Sequence, residues 1–271
     1  MASGLERGRA PEWWNLEHPD RVEEAHRGYV RAGSDVVQTN TFGGSAPKLL
    51  AAGLGGRCGE VNARAVELAR AACGEATLVA GDIGPTGLML PPVGEATLEE
   101  MRRAFAEQAG ALAVAGVDLL SIETMYDLRE ALAAVEAARV TGLPVLASMT
   151  FEARKRGFFT IMGDPLAPAM VALAAAGAAA VGFNCSVTSQ VMVAMVEQSR
   201  GVVSVPLVAQ PNAGSPRLTP SGTIYEESPD TFAGGLVAMV SAGARAVGGC
   251  CGTTPEFIAR ARVALDAAVC R

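Results

Sequence analysis

Short apolar runs alternate with amphipathic helical patterns along the chain. The runs that we interpret as buried strands are Asp35–Thr39, Thr77–Gly81, Asp118–Ile122, Pro144–Met149, Ala179–Asn184, Pro206–Gln210 and Arg245–Gly249. The helical patterns around them are Arg21–Ala32, Ala46–Ala52 with Val61–Ala72, Leu98–Ala115, Leu128–Val140, Leu166–Ala175, Gln190–Gln198, Pro229–Ala242 and Pro255–Ala268. This alternation predicts parallel strands joined by crossover helices, which is the α/β class.

The alternation also predicts how the strands are arranged. Eight helical patterns with intervening strands favour a (β/α)8 TIM-type barrel, and a doubly wound open sheet is the alternative. No Gly-x-Gly-x-x-Gly turn follows the first predicted strand, which argues against the open sheet. Only seven strands are recognisable and no strand pattern precedes Arg21, so we expect the first barrel strand to be missing or truncated. No linker interrupts the pattern, which predicts one domain over residues 1–271.

Composition and charge narrow the class of protein. Half of the 271 residues are hydrophobic and 18% are charged, which provides enough apolar material for a large core. The formal net charge is −6, and Lys and Arg form no clustered stripe. The composition therefore argues against nucleic-acid binding.

Two segments bear on localisation. The N-terminal residues contain no apolar run typical of a signal peptide. The uncharged stretch Leu166–Cys185 is long enough to cross a membrane. It consists mostly of Ala and Gly, contains Pro168, and divides into a helix-like and a strand-like half. We therefore expect a soluble, cytoplasmic protein without a membrane span.

Three of the six cysteines follow predicted strands. Cys185 ends one apolar run and the adjacent pair Cys250–Cys251 ends another, and active sites of barrels lie at this end of the strands. Three thiolates that converge on one point can bind a soft metal such as zinc and leave one coordination position open. A substrate thiol in that position would be ionised and made nucleophilic.

The alternative for these cysteines is that they are small buried hydrophobic residues. Their glycine neighbours favour the metal site, because Gly248, Gly249 and Gly252 would let the backbone bend until consecutive cysteines face one ion. The other cysteines lie in helical segments without partners at ligand spacing, and we expect them to be inert packing residues. They are Cys58, Cys73 and Cys270.

The donor set limits the chemistry. An all-thiolate site suits alkylation of sulfur better than hydrolysis, because zinc hydrolases usually also use nitrogen or carboxylate ligands. His18 and His26 are the only histidines and lie near the first helix, which gives little support to a hydrolytic triad. Asn212 follows the strand between the cysteines, where its amide could complete the shell, orient a substrate or simply form a turn.

Motifs spread over nearly the whole chain resemble one family, the homocysteine S-methyltransferases. They are Trp14–Leu16, Gln38–Gly43, Gly81–Gly87, Ile122–Thr124, Phe183–Cys185, Pro211–Gly214 and Gly248–Pro255, which contains Gly-Gly-Cys-Cys-Gly. Among the branches of the family, the chain looks most like the homocysteine-binding module of cobalamin-dependent methionine synthase. The resemblance implies a zinc-dependent (β/α)8 barrel that transfers a methyl group to the thiol of homocysteine and forms methionine.

The resemblance also implies roles for individual residues. Cys185, Cys250 and Cys251 become the zinc ligands, and Glu123 holds the substrate ammonium through a charge-assisted contact. Without the resemblance, Glu123 would be interpreted as an exposed acid at a strand end. The remaining expected substrate-binding residues are Asn212, Asn184, Thr39, Asn40 and Asp82. The turn Gly81–Gly87 lacks the Gly-Lys-Ser/Thr ending of a phosphate loop, so we expect it to line the substrate mouth.

The chain departs from the family pattern at its start. Family members usually begin with a strand that ends in an Asp-Gly-Ala-Met-Gly-Thr type of loop, whose backbone amides hold the substrate carboxylate. Here Met1–Leu5 resembles only the tail of that loop. Zinc binding could survive this difference while the affinity for homocysteine falls.

The methyl donor and the partner stay open at this level. The cobalamin and folate modules of the large synthase have no counterpart here, so methylcobalamin would have to arrive on a separate protein. S-methylmethionine, betaine-like compounds and S-adenosylmethionine are the other candidate donors. Two alternatives remain: a non-catalytic or partner-dependent barrel subunit of a corrinoid methyl-transfer system, and a methyltransferase for another thiol. The sequence is also compatible with an oligomer.

Overall fold

The protein is represented by a computed structural model that describes residues 4–6, 8–219 and 222–269. Cys270, which we expect to be an inert packing residue, lies outside the described residues. The same holds for the first three residues of the predicted loop remnant Met1–Leu5.

Seven parallel strands form the central sheet. In spatial order they are β1 (Val36–Gln38), β2 (Leu78–Ile83), β3 (Leu119–Met125), β4 (Val145–Met149), β7 (Ala180–Thr188), β8 (Leu207–Asn212) and β11 (Ala246–Val247). Spatial order follows chain order throughout, so the sheet curls in one direction as in a barrel, whereas an open doubly wound sheet reverses its order. The predicted barrel class and all seven predicted strands are confirmed. Within the described residues, no strand pairs with the outer edge of β1 or β11.

Helices connect the strands. After a 3₁₀ turn at Pro11–Trp13 they are α1 (Trp14–Glu17), α2 (Pro19–Arg31), α3 (Ala46–Ala51), α4 (Cys58–Cys73), α5 (Leu98–Ala115), α6 (Leu128–Arg139), α7 (Leu166–Ala175), α8 (Ser189–Ser199), α9 (Pro229–Ala242) and α10 (Pro255–Val269). The start of α5 forms a capping box, in which the Thr97 hydroxyl accepts from the Glu100 N–H and the Glu100 carboxylate accepts from the Thr97 N–H. Gly116 ends this helix in the left-handed conformation.

The first and last long helices lie side by side. The Tyr29 hydroxyl of α2 donates to the Thr253 carbonyl just before α10 at 3.0 Å. Gly28 lies so close to α10 that a Cβ there would be 3.2 Å from the Pro255 ring. The helical layer is therefore continuous between the two edge strands of the sheet.

Two short hairpins were not predicted. β5 (Glu152–Arg154) pairs antiparallel with β6 (Gly157–Phe159) after β4, and β9 (Pro216–Thr219) pairs antiparallel with β10 (Gly222–Tyr225) after β8. Both follow the carboxyl ends of sheet strands, so they flank the same end of the barrel at which Cys185 lies.

The core fills the space between the sheet and the helices. Its largest fully buried side chains include Phe105 of α5, Phe183 of β7 and Phe232 of α9. Each such side chain contributes roughly 1.5–3 kcal/mol by leaving water. The strands are largely apolar, as parallel strands covered by helices require, but β2 and β3 also contain Asp82, Ser121 and Glu123.

The uncharged stretch Leu166–Cys185 divides as predicted. Its first half forms α7 and its second half enters β7. Among the described residues, no helix combines the length and the apolar character needed to cross a membrane.

Candidate metal and substrate site

The structure brings three cysteines together at the carboxyl end of the sheet. Cys185 lies on β7, and Cys250 and Cys251 follow β11. Their sulfur atoms all lie within 4.8 Å of one another, and Sγ of Cys185 is 3.7 Å from Sγ of Cys251. Zinc with Zn–S bonds of about 2.3 Å in a tetrahedron separates its ligand sulfurs by about 3.8 Å. The donor set and its spacing therefore fit a tetrahedral zinc ion.

A local bulge turns Cys185 towards this point. The parallel register between β7 and β8 shifts between Asn184 and Thr188, and β7 continues beyond the position where we predicted its end. Cys185 and Ser186 adopt left-handed backbone angles, with φ of 61° and 59°. Such angles are costly for residues with a side chain and concentrate at functional sites. The Ser186 hydroxyl is hydrogen-bonded to that of Thr150 on the neighbouring loop.

The segment with the other two cysteines is tied to the end of β8. The Cys250 N–H donates to the Pro211 carbonyl at 2.8 Å, and the Cys251 N–H donates to Oδ1 of Asn212 at 3.1 Å. The Thr253 hydroxyl donates to the Cys250 carbonyl at 2.7 Å, which closes the turn. These bonds fix both cysteines before any ion is bound.

Glycine is required at two of the three positions that flank the pair. Gly252 has a φ of 83°, and a Cβ there would lie 2.4 Å from the Tyr225 ring of β10. A Cβ on Gly249 would lie 2.4 Å from the Thr253 side chain, whereas Gly248 has ordinary space around it. Gly252 thus has the backbone angle expected of a glycine that bends the chain, whereas a side chain at Gly249 would collide with Thr253.

Hydrogen bonds from the other two thiols favour the ionised form of Cys185. The thiols of Cys250 and Cys251 lower the pKa of Cys185 to about 2, assisted by the Ser186 N–H and the Asn212 side chain and opposed by burial. The same contact with Cys185 and the one with Cys251 raise the pKa of Cys250. Asn212 therefore contacts two of the candidate ligands, Cys185 and Cys251, and does more than form a turn.

Asn184 connects the metal side of the site to the end of β3. The Thr124 N–H donates to Oδ1 of Asn184 at 2.8 Å, and Nδ2 of Asn184 donates to Oγ1 of Thr124 at 2.7 Å. The same Nδ2 lies 3.7 Å from Sγ of Cys250. Thr124 has a φ of 60°, which is exceptional for a β-branched residue. Asn184 is 1% exposed, and these contacts connect the end of β3 to Cys250. Its predicted contact with the substrate stays a prediction.

Glu123 lies on the same side of the barrel as the cysteines. Its Oε2 accepts from Nε2 of Gln38 at 3.0 Å, and the same amide donates to Oγ of Ser121 at 3.0 Å. Burial and then the negative charge of Cys185 raise the pKa of Glu123, while the Gln38 hydrogen bond opposes them. Glu123 is therefore half-buried and held in place, unlike the exposed strand-end acid that the sequence alone suggests.

Asp82 on β2 is buried close to Glu123. Only 6% of its surface is exposed, and its Oδ1 has no hydrogen-bond partner among the described residues. Burial raises its pKa well above the ordinary value, and the charges of Glu123 and Glu12 raise it further. The Asp82 N–H donates to Oγ1 of Thr39 at 3.0 Å.

The other two predicted substrate-binding residues, Thr39 and Asn40, form hydrogen bonds with neighbouring residues. The Thr39 and Thr41 hydroxyls are 2.6 Å apart. Nδ2 of Asn40 donates to the Pro11 carbonyl and to Oδ1 of Asn15, each at 2.9 Å. Asn40 therefore connects the N-terminal turn to the loop after β1, and its predicted contact with the substrate stays a prediction.

Glu12 is an acid near the site that sequence reasoning missed. It is 2% exposed, and its Oε1 accepts from the Gly43 N–H at 2.6 Å. Burial raises its pKa, against hydrogen bonds and the charge of Lys48. Its burial depends on the loop after β1, which is distant in sequence, and no local pattern indicates it.

Two of the remaining cysteines behave as packing residues. Cys58 is buried and donates to the Gly44 carbonyl at 3.3 Å, and burial raises its pKa to about 12. Cys73 is buried at the end of α4, where burial also raises its pKa. Both thiols are therefore un-ionised at neutral pH and poor nucleophiles.

The chain is similar to known methyltransferases in sequence and in fold. A family profile described as Homocysteine S-methyltransferase matches residues 1–265. The methionine synthases of Mycobacterium leprae and Mycobacterium tuberculosis are each 31% identical to it over 257 residues, which is 90% of this chain and 21% of each relative. The chain therefore spans about a fifth of the length of these curated relatives.

Solved structures agree with the sequence comparison. The metallated form of the homocysteine methyltransferase MmuM from Escherichia coli superposes with a TM-score of 0.80 at 26% identity, and the match covers 97% of this chain and 91% of that one. The apo form of the same protein gives a TM-score of 0.75 at 28% identity, with 97% and 93% covered.

Proposed function

The chain belongs to the homocysteine S-methyltransferase family, and from that premise we propose that it transfers a methyl group to the thiol of homocysteine and forms methionine. The observation that carries the proposal is the convergence of three sulfur atoms at the carboxyl end of the barrel. Their spacing suits a tetrahedral metal with one position left for a substrate thiol.

Cys185, Cys250 and Cys251 would hold zinc at this point. Bound zinc supplies positive charge that stabilises the thiolate form of the substrate sulfur at neutral pH. The chain's own contribution is orientation: Asn212 hydrogen-bonds Cys185 and the Cys251 backbone, and Asn184 contacts Cys250. Such partners fix ligand geometry and are worth about 10–100-fold in metal affinity.

Glu123 would bind the ammonium group of the amino-acid substrate. Gln38 holds its carboxylate in one position, so little freedom is lost when the substrate arrives. The acid and the sulfur atoms are linked through Thr124, the residue after Glu123, which hydrogen-bonds to Asn184, and Asn184 in turn contacts Cys250. Thr39 and Asn40 would line the substrate mouth together with the turn Gly81–Gly87.

The methyl donor would approach from the open end of the barrel. Methylcobalamin on a separate protein is one candidate, as the resemblance to the homocysteine-binding module of cobalamin-dependent methionine synthase implies. A small-molecule donor such as S-methylmethionine is the other. Either donor would deliver its methyl group to the sulfur held between the cysteines and Glu123.

The proposal is tested by an assay of zinc-loaded protein with homocysteine and a panel of these donors. We expect about one zinc per chain and methionine formation with at least one donor. Cys251→Ser should lose most of its bound zinc and most of its methionine formation. Cys73→Ala, which removes a buried thiol of α4, should keep both the zinc and the activity. Full turnover by Cys251→Ser would contradict the proposal.

A second measurement separates the proposal from the alternative of a non-catalytic barrel subunit. Calorimetry of zinc-loaded protein with homocysteine should show binding. Zinc retention without homocysteine binding would instead favour a subunit that binds metal and performs no turnover.

A further inference from the structure

Four sulfur atoms would surround the zinc ion of the proposed reaction, and only one of them belongs to the substrate. Cys185, Cys250 and Cys251 would each hold the metal as a thiolate, which is the nucleophilic form of a cysteine. A methyl group on one of them would turn a charged ligand into a neutral thioether and damage the site. The protein therefore needs a means of making its own three sulfurs less reactive than the substrate sulfur.

The three cysteines differ in how easily a methyl donor would reach them. Cys185 and Cys250 are half-buried, whereas Cys251 is exposed. All three lie at the open end of the barrel, from which the donor would approach. Cys251 is therefore the ligand most in need of protection.

Cys185 and Cys250 each have hydrogen-bond donors from the loops and strands around them. The Ser186 N–H and the Asn212 side chain hydrogen-bond Cys185. Nδ2 of Asn184 lies 3.7 Å from Sγ of Cys250. A hydrogen bond to an ionised acceptor is stronger than one between neutral groups, so it stabilises the thiolate and lowers its nucleophilicity.

The counterpart for Cys251 is Tyr225, the last residue of β10. The Tyr225 hydroxyl and the Cys251 sulfur are hydrogen-bond partners, and a tyrosine hydroxyl is protonated at neutral pH and can donate. The ring lies against the backbone of Gly252, where an added Cβ would be 2.4 Å from the ring carbon Cγ of Tyr225. The ring contact and the hydroxyl contact can therefore be separated by replacing tyrosine with phenylalanine.

Backbone hydrogen bonds hold the hairpin β9–β10 against the cysteine segment. The Ala213 N–H donates to the Cys251 carbonyl, and the Glu227 N–H donates to the Ala213 carbonyl, each at 2.9 Å. Ala213 thus links Cys251 directly to the chain two residues after Tyr225. The backbone therefore keeps the tyrosine next to the exposed sulfur.

We propose that Tyr225 shields the Cys251 sulfur from alkylation and thereby directs the electrophilic methyl group to the substrate sulfur. The inference rests on the proposed function, because it takes a substrate thiolate and three cysteine thiolates as competitors for one methyl group. Zinc alone does not decide this competition, since it contacts all four sulfurs. Tyr225 is thus a specificity-determining residue that acts through Cys251.

The test is alkylation of zinc-loaded protein by iodoacetamide without homocysteine, with the initial rate at each cysteine measured by peptide fragmentation mass spectrometry. The thiolate attacks the CH2 carbon, a C–S bond forms, and iodide leaves with the electron pair of the C–I bond. Tyr225→Phe should speed alkylation of Cys251 about tenfold, as expected for loss of a hydrogen bond to a charged group. It should change the rates at Cys185 and Cys250 by less than about threefold.

A second tyrosine at the same end of the barrel provides the control. Tyr126 follows β3, and its hydroxyl contacts Sδ of Met89 at 3.9 Å. Tyr126→Phe removes the same atom as Tyr225→Phe but not the contact with Cys251. It should change none of the three alkylation rates.

Three results would overturn the inference. An unchanged rate at Cys251 would mean that the hydroxyl does not protect it, and equal acceleration at all three cysteines would mean that Tyr225 acts on the whole site. Should Tyr225→Phe fail to fold or to retain zinc, the unmodified protein decides. Alkylation of Cys251 more than about threefold faster than that of Cys250 contradicts the shielding, because exposure alone would then set the order.

The failure of the proposed function would look different. In that case the protein would bind zinc and resist alkylation of Cys251 through Tyr225 but form no methionine with any donor. A protein that binds no zinc would contradict both proposals.

Discussion

At the scale of single residues, Asn184 connects the two halves of the site. Its amide oxygen and nitrogen both bind Thr124, the residue after Glu123, and its nitrogen also contacts Cys250. One buried side chain therefore connects the residue after Glu123 to a candidate metal ligand. The motif Phe183–Asn184–Cys185 alone does not indicate these contacts, and the predicted contact of Asn184 with the substrate stays a prediction.

The aspartate variant tests this role. Asn184→Asp keeps an acceptor for the Thr124 N–H but loses the donor to Cys250 and adds charge beside the thiolates. We expect zinc affinity, measured by competition with a chelator, to fall about tenfold. Gln190→Glu adds the same charge at an exposed position of α8 and should leave the affinity unchanged. Equal zinc affinities of Asn184→Asp and the unmodified protein would refute the positioning role.

The sequence predicts the candidate ligands better than their surroundings. Cys185, Cys250 and Cys251 are recognisable because each follows an apolar run and has characteristic neighbours. The burial of Glu12 and the left-handed backbone of Thr124 are not recognisable. Both depend on side chains far away in sequence, the Gly43 loop for Glu12 and Asn184 for Thr124.

At the scale of elements, α2 contains a histidine that links stability to pH. Burial lowers the pKa of His26 to about 4, and its Nε2 has no hydrogen-bond partner among the described residues. The unfolded chain takes up this proton near the ordinary pKa of 6.5, whereas the folded protein does so only near 4. The contribution to stability is therefore fully present above pH 6.5 and is lost as the pH falls towards 4.

Urea unfolding at a series of pH values measures the expected loss of unfolding free energy between pH 6.5 and pH 4. The shift in pKa corresponds to about 3 kcal/mol in the free energy of unfolding. His26→Leu should remove this part of the pH dependence, and His18→Gln, which keeps His26, should retain it. Buried acids such as Asp82, whose pKa is raised, contribute with the opposite sign but are common to all three proteins. Parallel stability curves for His26→Leu and the unmodified protein would contradict the assignment.

Long periodic elements were predictable and short ones were not. α5 has a capping box at Thr97 and a terminal Gly116, so both its ends are encoded locally. The hairpins β5–β6 and β9–β10 have strands of three or four residues, and each strand pairs only with its partner in the hairpin. Their apolar alternation is too short to separate them from loops, and packing over the barrel end decides their shape.

At the scale of the whole molecule, the candidate metal site lies beside a weakly paired edge of the sheet. β11 is the shortest strand of the sheet with two residues, and it pairs only with β8 within the described residues. Zinc held by Cys185 of β7 and by the pair after β11 would bridge across β8. We therefore expect the bound ion to stabilise this edge of the barrel more than any other region.

Removal of the metal tests that expectation. At saturating zinc, about 1,000 times the dissociation constant, binding contributes about 4 kcal/mol, so chelation should lower Tm by about 10 °C. Hydrogen exchange should rise most in residues 185–188 and 246–254. A Cys185→Ala variant treated with the same chelator is the control and should change little. A uniform rise in exchange across the chain would show that the ion does not act locally.

The strand order was predictable, because alternating strands and helices of this kind specify consecutive parallel neighbours. The sequence also predicted seven strands, and the described residues contain seven in the central sheet. The contact of α2 with α10 was not predictable, because it depends on how far the sheet curls. It brings the first and last long helices together through Tyr29 and Thr253.

The strained backbone at the mouth of the barrel has a consequence for protein engineering. Thr124, Cys185 and Ser186 keep left-handed conformations that cost about 1–3 kcal/mol each. A selection for heat resistance alone would favour glycine at Thr124 and Ser186, because glycine adopts these angles without a steric penalty. The same replacements would loosen the chain beside Glu123 and Cys185. Laboratory evolution of this barrel therefore has to select for turnover and for heat tolerance together. Selection for heat tolerance alone would yield stable proteins without activity.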